Sequence, residues 1–323
     1  MSVVYAGVDL GGTSIKAALA RPNGDVWEQR SIPTESNRGP NDVIQRMSAL
    51  IESMMSSIGR DASLAGLGIG VPGLVDRQQG TTKFLPNLAT QWRDVPVSSM
   101  LESQLGCPVK ILNDVRTATL GELRWGHGRN DPQLTMAFFS IGTGVGGGIA
   151  LRGDVWLGPL GAAGELGHQT IQPDGPRCGC GNRGCLEAIA SGTAITAVGV
   201  RLMRSGLAPS LHAQVDGHAD GVTPQAMGMA AQHDPLVREA LIDAAEAIGI
   251  AAANVVTILH PQMIVLGGGV AEIGSLMTDT VREVIRTRVG MFPTDDIRVE
   301  KSMLGEHAGL RGAISLAMQS EVC

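Results

Sequence analysis

Three cysteines and one histidine lie in a short segment of the chain and offer the ligands of a metal site. Cys178, Cys180 and Cys185 belong to the run CGCGNRGC, and His168 precedes the first of them by ten residues. Three thiolates and one imidazole complete the tetrahedral set that Zn²⁺ prefers, with no position left for a catalytic water. The pattern therefore predicts a structural zinc site.

A disulfide pair or a group of buried thiols is the alternative for these cysteines. The chain has only five cysteines in 323 residues, and its first residues are not expected to form a secretory leader. Disulfide frameworks are typical of cysteine-rich secreted domains, so a metal site is the better interpretation and the cytoplasm the expected location. Cys107 and Cys323 lie far from the cluster in the sequence and are expected to be ordinary thiols.

Two glutamates flank the metal-binding segment. Glu165 precedes His168 by three residues, and Glu187 follows Cys185 by two. Carboxylates and imidazoles exchange hydrogen bonds with hydroxyl groups, as sugar binding requires, and a metal ion would hold the loops that carry them. Surface solvation or salt bridging is the alternative for the glutamates. Further sugar contacts are expected from Gly73 and Asn87.

Three glycine-rich turns at the ends of apolar strands favour a nucleotide site. The candidate residues are Asp9, Gly11, Gly12, Thr13 and Lys16 in the first turn, Thr143 and Gly144 in the second, and Gly268 and Gly269 in the third. The first two turns offer backbone amides to a polyphosphate, and the third offers flat backbone to a base. The first is neither a P-loop nor a Rossmann fingerprint, because a strand follows its glycines. Each turn alone could be a plain tight turn.

Asn113 and Asp114 end one apolar strand and open a helix. Asp114 could be a simple helix N-cap. The alternative is a carboxylate at the carboxyl end of a strand, where ligands gather in open α/β sheets. Phosphoryl transfer requires a group there that orients and deprotonates the acceptor hydroxyl.

Alternating strand-like and helix-like segments predict an α/β fold with two glycine-tipped hairpins. Strands are expected over residues 3–10, 15–20, 67–71, 109–112, 136–141, 148–151 and 263–266. Helices are expected over residues 40–58, 97–105, 115–125, 235–259, 275–289 and 309–318. Residues 205–223 are poor in pattern and are interpreted as a surface loop.

The composition excludes some classes of partner. The chain has 25 basic and 31 acidic residues, a net charge of −6, which argues against a general nucleic-acid or anionic-membrane surface. We find no apolar stretch of the roughly 20 residues that cross a bilayer. Only 3% of the residues are aromatic, so aliphatic residues and methionine must form the core.

The order of motifs resembles that of the ROK family of sugar kinases and repressors. The motifs are DLGGTSIK, ND, GTGVGGG, GELGH, CGCGNRGCLE and LGGGV. The resemblance covers nearly the whole chain and implies an actin-like ATPase (ribonuclease H-like) fold, with two α/β domains and an interdomain cleft. The smaller domain would comprise residues 1–114 and 305–323, and the larger domain residues 115–304.

The resemblance also implies roles for individual residues. Asp114 would be the general base on the sugar hydroxyl, with Asn113 holding a neighbouring hydroxyl. Asp9 would lie near Mg²⁺, and the two hairpins would hold the phosphates of ATP. The residues that would bind the sugar ring are Glu165, His168 and Glu187, with the other nitrogen of His168 on Zn²⁺.

The expected function is ATP-dependent phosphorylation of a hexose, with glucose to glucose 6-phosphate preferred. The alternative is an N-acetylhexosamine kinase, acting on N-acetylmannosamine or N-acetylglucosamine. Weaker alternatives are a polyphosphate-dependent glucokinase, a sugar-binding module without activity and a sugar-responsive ROK repressor. Repressors of this family carry a helix-turn-helix domain ahead of the first glycine turn, which here begins at Asp9. We expect a homodimer or homotetramer, with no nucleic-acid or membrane partner.

Overall fold

The computed structural model describes residues 2–59, 61–85 and 88–319. The chain forms two compact units. Unit 1 contains residues 1–134, 149–163 and 303–323, and unit 2 contains residues 135–148 and 164–302. The domain boundaries expected from the sequence, after residue 114 and before residue 305, stay a prediction.

The described residues form strands and helices that alternate along most of the chain. The strands are β1 Ser2–Leu10, β2 Ser14–Ala20, β3 Val26–Pro33, β4 Ala62–Val71, β5 Leu74–Asp76, β6 Thr81–Phe84, β7 Val109–Asn113, β8 Met136–Ile141, β9 Val145–Leu151, β10 Asp154–Trp156, β11 Met263–Gly267 and β12 Arg298–Lys301. The helices are α1 Pro40–Ile58, α2 Val97–Leu105, α3 Asp114–Trp125, α4 Leu186–Ala190, α5 Gly192–Arg204, α6 Pro209–Gln214, α7 Pro224–Ala230, α8 Pro235–Leu259, α9 Ser275–Arg288 and α10 Ala308–Met318.

The sheet of unit 1 has the order β3-β2-β1-β4-β7. β1 and β2 form the first glycine-tipped hairpin, and β4 and β7 continue the sheet in parallel. Val4, Ala6, Val8 and Leu10 alternate along β1 and belong to the same buried cluster as the apolar face of α1. The period of two in β1 and of 3.6 in α1 therefore buries one face of each.

Helix α10 packs against the sheet of unit 1 at a point where two neighbouring strands carry glycines. Gly7 of β1 pairs with Gly68 of β4. A Cβ at Gly7 would lie 2.8 Å from the backbone nitrogen of Ile314, and one at Gly68 would lie 2.0 Å from the carbonyl oxygen of Ala313. The helix backbone thus lies directly on the sheet, and its first turn reaches the end of β1.

The second sheet has the order β10-β9-β8-β11-β12. β11 is parallel to both β8 and β12, and β9 is antiparallel to β10. Every residue of β11 is buried, as expected of a central strand covered on both faces. β11 leads directly into the third glycine turn.

The interpretation of residues 205–223 as a surface loop is wrong. They contain α6 and a short 3₁₀-helix over Ala219–Gly221. The buried carboxylate of Asp234 accepts hydrogen bonds from the backbone nitrogens of Ser210 and Leu211, at 3.1 and 2.8 Å. The start of α6 is therefore capped from a distant part of the chain, which the local sequence pattern does not show.

The expectation that no apolar stretch is long enough to cross a bilayer is also wrong. Leu186–Arg204 and Pro235–Leu259 both reach the required length and apolar composition. In the second of these, α8, 61% of the most apolar window is buried. Its apolar length is thus largely used in packing within unit 2.

Candidate active site

The four predicted metal ligands lie together in unit 2. The donor atoms of His168, Cys178, Cys180 and Cys185 all fall within 4.8 Å of one another. Cys180 Sγ lies 3.7 Å from Cys185 Sγ, and Cys178 Sγ lies 3.6 Å from His168 Nδ1. A tetrahedral zinc ion with ordinary bond lengths needs S–S edges of about 3.8 Å and S–N edges of about 3.6 Å. The residues therefore fit structural Zn²⁺.

The electrostatics of the three thiols favour a bound cation. Burial, followed by the hydrogen bonds that its thiol donates to Cys180 and Cys178, raises the pKa of Cys185 to about 12. Burial also raises the pKa of Cys178, whereas hydrogen bonds, led by the backbone of Asn182, lower that of Cys180. Three neighbouring thiols do not ionise together without compensation, and a divalent cation supplies it.

His168 faces the thiols with its Nδ1 atom. An imidazole that binds a metal through Nδ1 carries its proton on Nε2, which becomes a hydrogen-bond donor. His168 ends a short 3₁₀-helix, Leu166–His168, and the exposed Glu165 lies immediately before it. The metal site and one candidate sugar contact thus share a residue.

Glu187 connects the cysteine segment to the second glycine turn. Its Oε2 accepts a hydrogen bond from the backbone nitrogen of Val145 at 3.0 Å, and its Oε1 lies 3.8 Å from Cys178 Sγ. A Cβ at Gly144 would lie only 2.3 Å from Oε2. Gly144 was predicted as a phosphate contact, and the geometry adds a second reason for a glycine here: it makes room for the carboxylate.

Asn113 and Asp114 form a bonded pair at the start of α3 in unit 1. The side-chain Oδ1 of Asn113 accepts from the backbone nitrogens of Val115 and Arg116, so Asn113 is the N-cap. Its Nδ2 donates to Gly73 O at 3.1 Å and to Asp114 Oδ1 at 2.9 Å. Asp114 Oδ1 also accepts from Val115 N at 2.8 Å. The carboxylate is therefore held by two donors.

Asp9 lies at the end of β1, opposite Lys16 of β2. Its side chain is half-buried. Burial raises the pKa of Asp9, and the charge of Lys16 opposes the rise. Its Oδ2 would lie 3.1 Å from a Cβ on Gly309, at the start of α10. A partly buried carboxylate is a suitable ligand for a hard cation such as Mg²⁺.

The first glycine turn is exposed at its tip and is held by Thr34, the residue that follows β3. Gly12 and Thr13 are exposed. Thr34 fixes the turn, because its Oγ1 donates to Gly11 O at 2.7 Å and its backbone nitrogen donates to Thr13 O at 2.8 Å. The amides of this turn thus occupy a fixed position at the edge of unit 1, as phosphate binding requires.

A cavity of about 390 Å³ in unit 2 lies between the second and third glycine turns. Thr143 and Gly269, two of the predicted nucleotide contacts, line it. Gly142 and Val270 also line it and belong to the motifs GTGVGGG and LGGGV, and the lining residues that the sequence analysis missed are Gly192, Thr193, Thr196, Pro224 and Gln225. Several of these begin helices α5 and α7, which no glycine motif marks. A shape of this size accommodates a nucleoside.

The candidate residues divide between the two units. Unit 1 holds Asp9, Gly11, Gly12, Thr13, Lys16, Gly73, Asn113 and Asp114, and unit 2 holds Thr143, Gly144, Glu165, His168, Cys178, Cys180, Cys185, Glu187, Gly268 and Gly269. Asn87, predicted as a sugar contact, lies outside the described residues. Within each unit, the described candidates collect around the glycine turns, the metal cluster and the start of α3.

Comparison with known proteins adds independent information. A glucokinase from Thermotoga maritima is 33% identical over 317 residues, which is 96% of each chain. The crystal structure of a ROK family glucokinase from Streptomyces griseus, in complex with glucose and AMPPNP, superposes with a TM-score of 0.82 and 30% identity, covering 98% of this chain and all of that one. A xylose repressor from Caldicellulosiruptor bescii is 31% identical over 314 residues, 97% of this chain and 77% of the repressor.

The α/β fold is that of the ROK sugar kinases, the actin-like ATPase fold expected from the sequence. The profile of the ROK family matches residues 5–320, which is nearly the whole chain. The chain belongs to the ROK family.

Proposed function

We propose that this chain is an ATP-dependent hexokinase that converts glucose to glucose 6-phosphate. The observation that carries the proposal is the Asn113–Asp114 pair at the start of α3, in a chain that matches a glucokinase over 96% of its length. Phosphoryl transfer leaves the protein little covalent work, so positioning and charge stabilisation are what its residues must supply.

Asp114 is the proposed general base. The proton of the reacting sugar hydroxyl passes to its carboxylate while the hydroxyl oxygen bonds to the γ-phosphorus of ATP. The bond between that phosphorus and the bridging oxygen breaks, and ADP leaves. The donors on Asp114 Oδ1 fix the carboxylate in one orientation before the sugar arrives.

The residues around the metal cluster supply the remaining sugar contacts in this proposal. His168 Nε2 would donate to one hydroxyl, because a zinc ion held by Nδ1 would fix the tautomer. Glu165 and Glu187 accept from others. The backbone bond from Val145 keeps one oxygen of Glu187 directed at the second glycine turn. A zinc ion held by these four ligands would be structural and would take no part in the chemical step.

The nucleotide occupies the cavity between the second and third glycine turns in this proposal. Thr143 and Gly144 contact the phosphates, and Gly268 and Gly269 present backbone to the base. The first turn and Lys16 contact the terminal phosphate. Mg²⁺, when bound, neutralises phosphate charge, and Asp9 is the proposed ligand that holds it.

A screen of sugars with ATP tests the proposal. The purified protein is expected to release ADP in stoichiometric amounts with glucose and to give glucose 6-phosphate by ³¹P NMR. A higher kcat/KM for N-acetylmannosamine or N-acetylglucosamine than for glucose would transfer the assignment to an N-acetylhexosamine kinase. Turnover with polyphosphate but not with ATP would assign polyphosphate as the phosphate donor. Sugar binding without turnover would leave an inactive binding module.

The similarity to xylose repressors requires one further measurement. A gel-shift assay against DNA is expected to show no tight, salt-sensitive binding, because the net charge of −6 gives no basic surface. Salt-sensitive binding would revive the repressor hypothesis. A homodimer or homotetramer and a cytoplasmic location are part of the same proposal, and light scattering tests the first.

A further inference from the structure

We propose that Arg116 is a positioning residue for the phosphoryl transfer, acting on the base through Asn113. The proposal rests on the proposed function and extends it to a residue that touches neither sugar nor nucleotide. Arg116 is the third residue of α3 and is only 2% exposed. It belongs to none of the motifs singled out in the sequence.

The placement of Arg116 is electrostatically costly. A cation in the first turn of a helix opposes the partial positive charge of the helix N-terminus. Burial of a guanidinium adds a desolvation cost that only good hydrogen bonds offset. A long apolar side chain would fill the same space without either cost. The arginine is therefore better explained by what its donors do than by packing.

Three donors of Arg116 reach three separate acceptors. Nη1 donates to Asn113 Oδ1 at 2.9 Å, Nε to Ala163 O at 3.0 Å and Nη2 to Ala162 O at 3.0 Å. All three acceptors belong to unit 1. The guanidinium thus joins the N-cap of α3 to residues 162–163. The next residues in the chain are Gly164 and the candidate sugar contact Glu165.

The bond from Arg116 fixes the amide that orients the base. Two backbone donors and Nη1 all point at Asn113 Oδ1, so the amide nitrogen must face the other way. That nitrogen donates to Gly73 O and to Asp114 Oδ1. A charged donor on the oxygen polarises the amide and strengthens the bond that its nitrogen makes. Arg116, Asn113 and Asp114 therefore form one hydrogen-bonded series.

A double-mutant cycle tests this series. Arg116→Met keeps the bulk of the side chain and removes its donors. We expect kcat for glucose phosphorylation to fall by roughly 10- to 100-fold, the cost of a slightly misplaced group, while the KM for ATP changes by less than about twofold. Asn113→Ala is expected to cost at least as much. Because Arg116 acts through Asn113, the double variant should match Asn113→Ala within about twofold.

Controls separate positioning from stability. Arg282 of α9 also donates to a backbone carbonyl, that of Val299 at 3.0 Å, and neither residue belongs to the candidate site. Arg282→Met is expected to lower Tm without lowering kcat at a temperature where the protein is folded. Should Arg116→Met fail to fold, Arg116→Lys replaces it: one ammonium cannot serve three acceptors in different directions, so its kcat should also fall.

Each outcome is decisive. The positioning role would be overturned if the kcat loss of the double variant equalled the product of the two single losses. It would also be overturned if Arg116→Met and Arg116→Lys kept a kcat within about twofold of wild type. A wild-type protein that phosphorylates no hexose would instead overturn the proposed function, and the role of Arg116 with it.

Discussion

Glu187 shows at the scale of one residue how a glycine can serve a neighbouring carboxylate. Its Oε2 accepts from Val145 N and occupies the space where a Cβ on Gly144 would lie. The sequence indicated a glycine turn and a glutamate after the last cysteine as separate features. Their contact depends on the fold, because 42 residues separate Glu187 from Val145.

Gly144→Ala is expected to impair sugar phosphorylation more than stability. The new Cβ would displace the flexible end of Glu187 and break its bond to Val145. Losing one hydrogen bond to a charged group corresponds to about a 10- to 100-fold loss in kcat/KM for glucose. Gly290→Ala is the matched control, because a Cβ there meets no atom within 4 Å. Equal kinetics for the two variants would argue against this role for Glu187.

Asp9 is expected to reduce the stability of the free protein at neutral pH. Burial raises its pKa above the ordinary 3.8, so its stabilising contribution is complete only below pH 3.8 and is lost as the pH rises through the raised value. Asp9→Asn should therefore raise Tm at neutral pH by about 2 °C and change it little below pH 3.8.

The same substitution should lower kcat, because an amide is a poor substitute for a carboxylate ligand of Mg²⁺. Calorimetry at the two pH values and an ATP assay check the two effects. Asp61→Asn, at an exposed aspartate of the same unit, is the control. A Tm that falls at neutral pH in Asp9→Asn would contradict the proposed cost of the buried charge.

At the scale of elements, the segment from His168 to Glu187 has little regular structure of its own. Between the 3₁₀-helix that ends at His168 and the start of α4 at Leu186, it contains two isolated β-bridges, Thr170 with Cys185 and Arg177 with Arg183, and otherwise turns and loops. Such a segment needs an additional constraint to hold its side chains in fixed positions. The tetrahedral spacing of its four ligands indicates that the constraint is a metal ion.

Removal of zinc is expected to loosen this segment. Metal analysis of fresh protein should give one zinc per chain. Chelation, or Cys180→Ser, should lower Tm by roughly 5–10 °C and weaken glucose binding, because zinc binding is coupled to folding. Cys107→Ala, which changes a buried cysteine of unit 1 outside the metal cluster, is the control and should still contain one zinc per chain. A zinc-free protein with unchanged glucose affinity would refute the coupling.

Two of the strands that sequence patterns missed lie at the edges of their sheets, and one missed helix depends on a distant cap. β3 and β12 are the outer strands of their sheets, and each carries charged residues along one side. An edge strand buries little apolar surface and often carries charge, so its pattern is weak. Helix α6 depends on capping by Asp234. Central strands and long helices such as α1 and α8 were predictable because burial enforces their periods.

At the scale of the molecule, the order of motifs was sufficient to predict the family and its fold. The metal ligands could also be predicted, because their residue types and spacing are specific to zinc. The cavity proposed for the nucleotide could only be predicted in part, since helices α5 and α7 contribute residues such as Thr193 and Gln225 that carry no glycine signature. The bonds of Arg116 were not predictable, because Ala162 and Ala163 lie more than 40 residues away in the sequence.

The turnover of Asp114→Asn with ATP and glucose tests the central claim most directly. The amide keeps the size of the side chain but accepts no proton. The account predicts that kcat falls by roughly 10²- to 10⁴-fold, the usual cost of a lost general base, while Tm and the KM for ATP change little and Asp61→Asn retains wild-type activity. A kcat of Asp114→Asn within a few-fold of wild type would contradict the assignment of Asp114 as the base.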